Sequence, residues 1–89
     1  MSVRIRSAQA PLTAEVDVDE EGQVTHHLVH VQPADLQRWG RGQAPEELVR
    51  RSFEFLLERE SKESILREFD LSVIQRYFPE YDQAMTETD

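Results

Sequence analysis

Residues 14–31 read AEVDVDEEGQVTHHLVHV, and this stretch decides the fold. Apolar residues alternate with acidic residues over its first six positions, which is the period of a half-buried β-strand. Gly22 lies in the acidic turn that follows, where a positive φ is often needed. A second run, rich in Val, Thr and His, comes after the turn. The stretch therefore predicts a β-hairpin of residues 14–19 and 24–31 with a loop of about four residues.

A shorter alternating pattern precedes this hairpin. Residues 3–6 alternate apolar and basic side chains, which is typical of a short strand, and Pro11 interrupts the pattern. The sequence leaves open whether residues 1–10 join the sheet.

The period of the pattern changes to helical spacing after the hairpin. Pro33 can occupy the first position of a short helical turn that Gly40 ends. Pro45 is followed by two acidic residues, which indicates the start of a longer helix. Apolar residues at helical spacing then predict that this helix continues to about Glu60.

Two interpretations of the next segment remain open. Ser61 can cap a second helix over residues 62–69, and Asp70 can cap a third over residues 71–78. A single continuous helix over residues 62–78 is the alternative, because the apolar residues at positions 65, 66, 69, 73, 74, 77 and 78 would then form one buried stripe. The break at Asp70 is preferred, because Asp is a poor residue for a helix interior and a good cap.

These elements predict an α+β fold, with strands first and helices after them. The N-terminal β-hairpin, with a third strand if residues 1–10 join it, packs on two to three C-terminal α-helices. The chain has 89 residues, and at this length a single domain is expected, over residues 1–79. Residues 80–89 are acidic and offer little to bury, so they are predicted to be a disordered tail.

Composition excludes several classes of function. The formal net charge is -8, which repels a phosphate backbone over long range and disfavours nonspecific nucleic-acid binding. The chain has no Cys, so disulfides, thiolate metal sites and cysteine nucleophiles are excluded. It also lacks an apolar run long enough for a membrane span. A cytoplasmic protein with no membrane partner is the resulting expectation.

No residue pattern in the sequence points to catalysis. It has neither a phosphate-binding glycine loop nor a nucleophile elbow, so we expect a protein that is not an enzyme and uses no cofactor. The three histidines, His26, His27 and His30, resemble a metal site only at first sight. On a strand, His26 and His30 share a face about 13 Å apart, at roughly 3.3 Å per residue, and His27 points the other way. No metal site is predicted.

The segment around the single Trp is the first candidate binding surface. Trp39 lies next to Arg38, and Arg41 follows on a glycine-flanked loop. Trp and Arg are the residue types that dominate binding hot spots. Arg50 of the following helix can join them in a basic patch that would bind an acidic partner. The alternative is that Trp39 closes the core under the hairpin.

An aromatic cluster at the end of the last predicted helix is the second candidate surface. It contains Tyr77 and Tyr81, with Phe78 and Pro79 between them. So many aromatic side chains seldom all lie in solvent, so part of the cluster packs. The rest is available to a second subunit or to another protein.

Residues 65–78 resemble the helix-turn-helix pattern of bacterial DNA-binding proteins. In that pattern an apolar first helix leads through a tight turn into a recognition helix, which Ser72 would begin here. Asp70 stands where the pattern usually has Gly. The resemblance implies a DNA-binding, transcription-regulating module in which Ser72, Gln75 and Arg76 contact the nucleic acid.

The preferred hypothesis is a small, non-enzymatic protein-interaction or regulatory module. Its partner is an unidentified protein or a second copy of the chain, bound at the Trp39 loop or at the aromatic cluster. The alternative is the DNA-binding module over residues 65–78.

Overall fold

The protein is described by a computed structural model that covers residues 1–7 and 11–86. Its sheet has four strands in the spatial order β1-β2-β3-β4, and only the β3–β4 pair is parallel. The strands are β1 (Ser2–Ser7), β2 (Leu12–Glu20), β3 (Gln23–Val31) and β4 (Glu68–Asp70). The α+β class with N-terminal strands and C-terminal helices is confirmed.

The predicted hairpin is confirmed as β2 and β3. Val18 pairs with Thr25 near the turn, where Glu21 and Gly22 both have a positive φ. Side chains alternate between the two faces of the sheet as predicted: the apolar residues of β2, with Val29 and Val31 of β3, are buried on the inner face, whereas Val24 and Leu28 lie on the outer face. Residues 2–7 join the sheet as β1, which answers the question that the sequence left open for them. Residues 8–10 lie outside the described residues.

Helices and turns form the second layer. They are α1 (Pro33–Asp35), which continues as a π-helical turn (Leu36–Gly40), α2 (Pro45–Leu57), a 3-10 turn (Lys62–Ser64), α3 (Val73–Tyr77) and α4 (Tyr81–Thr86). The predicted start of the long helix at Pro45 is confirmed, and the helix ends three residues before Glu60. Its buried face, which includes Leu48 and Phe53, belongs to the same core as the inner face of the sheet.

The predicted helix over residues 62–69 is wrong. After the 3-10 turn the chain is extended and enters β4, which pairs with β3. Phe69 thereby fills the core, with its ring centroid 6.1 Å from that of Phe53. Apolar residues at 65, 66 and 69 fit a helical stripe, but backbone pairing with a distant strand decides the conformation. Both helical interpretations of residues 62–78 are therefore wrong, since α3 begins only at Val73.

The C-terminal segment also differs from its prediction. Residues 81–86, which were expected to belong to a disordered tail, form α4. Tyr81 and Met85 lie one helical turn apart and are both buried in the core. These two side chains form a buried apolar face on α4, which the acidic composition of the segment does not indicate. Residues 87–89 lie outside the described residues.

Within residues 1–7 and 11–86, no helix has the length and apolarity that crossing a lipid bilayer requires.

Candidate functional site

The structure buries Trp39, which was a candidate binding residue. Trp39 is 1% exposed, and its ring meets the ring of Tyr81 edge-on at a centroid distance of 5.0 Å. Its indole Nε1–H donates a hydrogen bond of 2.6 Å to Oδ1 of Asp82. The predicted helical turn before Gly40 is present, as α1 and a π-helical turn, and it carries this side chain into the core. The alternative that Trp39 is a core residue is therefore the correct one, and its ring is inaccessible to a partner in this conformation.

The three arginines that were expected to form a basic patch each have their own intramolecular contact. The guanidinium of Arg38 lies 4.4 Å from the centroid of the Trp39 ring and 3.6 Å from Asp82. Arg41 donates to the carbonyl of Thr86, and Arg50 lies 3.4 Å from the carbonyl of Met1. These contacts attach neighbouring segments to one another and do not direct the three cations at a common point.

Asp82 instead joins residues from two of the predicted sites. Its carboxylate accepts hydrogen bonds from Trp39 and from the side-chain amide of Gln75, and Arg38 is its ion-pair partner. Gln75 also accepts a hydrogen bond of 3.3 Å from Arg38. This cluster holds α3 and α4 against the π-helical turn. Gln75 is thus engaged within the protein and is not free to read a base.

Tyr81 belongs to the core as well. It is 0% exposed, and its hydroxyl lies 2.6 Å from Oγ of Ser52. Ser52 already donates its single proton to the carbonyl of Leu48 at 2.7 Å, so Tyr81 is the donor in the bond between the two hydroxyls. Burial raises the pKa of the Tyr81 phenol well above its ordinary range, and the nearby carboxylates of Asp35 and Asp82 add to the rise.

This pKa shift predicts a loss of stability at alkaline pH. The unfolded chain releases the Tyr81 proton near pH 10, while the folded chain retains it. The stabilisation is complete below pH 10, and it falls by about 1.4 kcal/mol per pH unit above pH 10 until the folded-state pKa is reached. We expect Tyr81→Phe to lack this dependence. Urea unfolding followed by far-UV circular dichroism at pH 9 and pH 11 measures it, and equal losses in both proteins would refute it.

Tyr77, in contrast to Tyr81, lies on the surface beside an apolar groove. The groove has a volume of about 380 Å³ and lies between the end of α2, the segment leading into β4, and α3. Tyr77 is 71% exposed and Leu66 is 53% exposed. The residues that line the groove are Leu56, Glu60, Ser64, Ile65, Leu66, Phe69, Val73, Ile74, Tyr77 and Phe78.

Sequence reasoning found Tyr77 but missed Leu66 as a surface residue. Residues 65 and 66 were both placed on the buried face of a predicted helix. Because the chain is not helical there, the two side chains do not share a face: Ile65 is buried while Leu66 is exposed. No local signal in the sequence distinguishes Leu66 from Ile65, because the conformation of this segment depends on the pairing of β4 with β3.

Charged side chains lie in the lining of this groove and on the two elements beside it. Glu60 is the single charged residue in its lining. Glu68 and Asp70 of β4 are exposed, and the carboxylate of Glu68 lies 2.7 Å from His30. On α3, Arg76 is exposed, and it makes no ion pair within the described residues. The groove is thus an apolar surface between a carboxylate-bearing strand and a short helix.

The segment that resembles a helix-turn-helix lacks the first helix of that pattern. Residues 68–70 form β4, and the segment before them is not helical. Ser72 does precede α3, but its side chain makes no capping hydrogen bond to that helix. Arg76 is the one predicted nucleic-acid contact that is exposed to solvent. The helix pair that the resemblance required is therefore absent from residues 65–78.

The histidines lie on the sheet as their spacing predicted. His26 and His30 share the outer face, and His27 is buried on the inner face against Phe53. Each outer histidine has its own carboxylate partner: His26 lies 2.6 Å from Asp17, and His30 lies 2.7 Å from Glu68. Within residues 1–7 and 11–86, no three potential metal ligands converge.

Comparison with family models, with curated protein sequences and with solved structures finds no match to this chain. The function of the groove must therefore be argued from its own geometry and chemistry.

Proposed function

We propose that this protein is a non-enzymatic protein-interaction module and that the apolar groove beside α3 is its binding surface. The observation that carries the proposal is the exposure of Leu66 and Tyr77 at this groove. Isolated apolar residues on a surface are ordinary, but two large ones beside an apolar groove mark an interaction site. A partner would remove both from water.

The size and lining of the groove support a protein ligand. Its volume of about 380 Å³ lies near the lower end of the range for binding pockets, roughly 300 to 1,000 Å³, which suits one or two large side chains. Its walls are mostly aliphatic and aromatic. That composition supports burial of an apolar side chain rather than general acid–base chemistry, which needs titratable groups in hydrogen-bond reach of a substrate.

Peptides selected for binding to the protein from a random library test this proposal. We expect Leu66→Ser and Tyr77→Ser each to weaken the selected peptides by about tenfold or more, because each variant removes a large apolar contact from the interface. Neither side chain belongs to the buried core, so the unfolding midpoint should change little. Isothermal titration calorimetry measures the affinities, and urea unfolding checks the fold.

Val24→Ser is the matched control. Val24 is 47% exposed, so it is also an apolar surface residue, but it lies beside the hairpin turn and does not line the groove. Its substitution should leave peptide affinity unchanged. The proposal fails if the selection yields no binder, or if Val24→Ser weakens the binders as much as the groove variants do.

A further inference from the structure

The sheet has an open edge at β4. Two bonds flank the β3–β4 ladder: Leu28 N–H donates to the carbonyl of Arg67 at 2.7 Å, and Leu71 N–H donates to the carbonyl of His30 at 3.0 Å. In a parallel ladder, alternate residues of a strand direct their backbone N–H and C=O groups toward one neighbouring strand. The backbone groups of residues 67, 69 and 71 therefore face β3. The backbone groups of Glu68 and Asp70 consequently face away from it. In the described part of the chain, no other strand pairs with β4.

The apolar groove lies on the side of this open edge. All of its lining residues come from positions 56–78, and none comes from β1, β2 or β3. Phe69, the central residue of β4, is one of them. Side chains of a strand placed next to β4 would alternate between the two faces of the sheet. Every second side chain would therefore point to the face of Phe69, where the groove lies.

The other face of β4 is acidic. Glu68 and Asp70 flank Phe69 and point to the opposite side, where their carboxylates are exposed. A second copy of β4, paired antiparallel about Phe69, would place Glu68 opposite Asp70 of the other copy. Like charges directly opposite each other destabilise a strand pair. A partner strand with basic residues at these positions is instead complementary, and the net charge of -8 attracts it from a distance.

We propose that the ligand of the groove is an extended, basic peptide that adds to β4 as a fifth strand. Its backbone pairs with the N–H and C=O groups of Glu68 and Asp70. Its apolar side chains enter the groove beside Phe69, and its Lys or Arg side chains lie opposite the two carboxylates. This mode of recognition combines main-chain hydrogen bonds for affinity with a side-chain pocket for specificity. The inference rests on the proposed function, because it assigns the ligand of the same groove.

The probe is a synthetic seven-residue peptide of alternating Lys and Val, with blocked ends. We expect it to bind with an affinity that falls as salt is added. The same peptide with Glu in place of Lys should bind about tenfold more weakly or not at all, because its charges repel those of β4. In Glu68→Lys/Asp70→Lys this preference should reverse. Glu54→Lys, which changes an exposed acid of α2, should leave it unchanged.

Backbone pairing is tested separately from charge. Two isomers of the peptide carry two N-methyl groups each, on valine nitrogens in one and on lysine nitrogens in the other. In an added strand only alternate N–H groups face β4, so one isomer should bind about tenfold more weakly than the other. Hydrogen exchange of the Glu68 and Asp70 amides should slow when the unmethylated peptide binds.

The outcomes distinguish the two proposals. If library-selected peptides depend on Leu66 and Tyr77, but the Lys–Val peptide does not bind or does not protect the Glu68 amide, strand addition is refuted and the interaction module stands. Equal binding of the two N-methyl isomers also refutes strand addition. If the amides are protected while Leu66→Ser and Tyr77→Ser have no effect, the edge binds peptides and the groove proposal is wrong.

Discussion

A chain that ends at Glu80 should no longer unfold in one cooperative transition. This truncation removes α4 and with it Tyr81 and Met85, which are 0% and 4% exposed. It also uncovers Trp39 and Phe55, whose rings contact Tyr81 at centroid distances of 5.0 and 5.4 Å. Losing two large core side chains costs about 5 kcal/mol or more, which is comparable to the entire stability of a small domain, about 5–15 kcal/mol.

A chain that ends at Thr86 is the control for this truncation. It keeps every buried residue of α4, so it should retain the unfolding midpoint of the full chain. Urea unfolding, followed by far-UV and near-UV circular dichroism, compares the three proteins. A sharp transition in the chain that ends at Glu80, close to that of the full chain, would show that α4 contributes little to the fold.

Trp39→Ala is expected to lower the free energy of unfolding by about 3–5 kcal/mol. The substitution leaves a cavity between the π-helical turn and Tyr81, because Trp39 is among the largest fully buried side chains. It also removes the indole donor from the carboxylate of Asp82, which retains its contacts with Gln75 and Arg38. The effect thus combines lost packing with a weakened carboxylate cluster.

Trp39→Phe separates these two contributions. It keeps an aromatic ring in the core but cannot donate to Asp82, so it should cost less, about 1–3 kcal/mol. Urea unfolding by circular dichroism measures both variants, and acrylamide quenching of the wild-type fluorescence reports the burial of the indole. The account of Trp39 as a core residue is wrong if Trp39→Ala costs under about 1 kcal/mol, the range of surface substitutions.

The parts of the fold that follow from local pattern were predictable from the sequence. The alternation in residues 14–31 specifies β2 and β3, because a period of two can bury one face only as a strand. Pro45 and the acids after it specify the start of α2 for a similarly local reason. In both cases the deciding contacts are made by near neighbours in the chain.

The parts that depend on distant partners were not predictable. Phe69 belongs to a strand only because β3 supplies the backbone partners, and nothing near residue 69 encodes that pairing. Tyr81 is buried because its ring packs against Trp39 and its hydroxyl bonds to Ser52, although its neighbours in sequence include acidic and polar residues. The groove depends on the strand conformation of Phe69, since Phe69 lines it. Tyr77 could therefore be named as a surface residue from the sequence, whereas Leu66 could not.

The parallel pairing of β4 has a consequence for the order of folding. The contacts between β2 and β3 join residues close in the chain, whereas β4 must return to β3 from beyond α2. Loop-closure entropy delays contacts of this kind, so we expect the hairpin to form early and β4 to dock late. A three-residue strand that docks last is also among the first to detach when the native state opens locally. A partner that pairs with β4 would bind only the fully folded protein, and its binding would slow the detachment of β4 from β3.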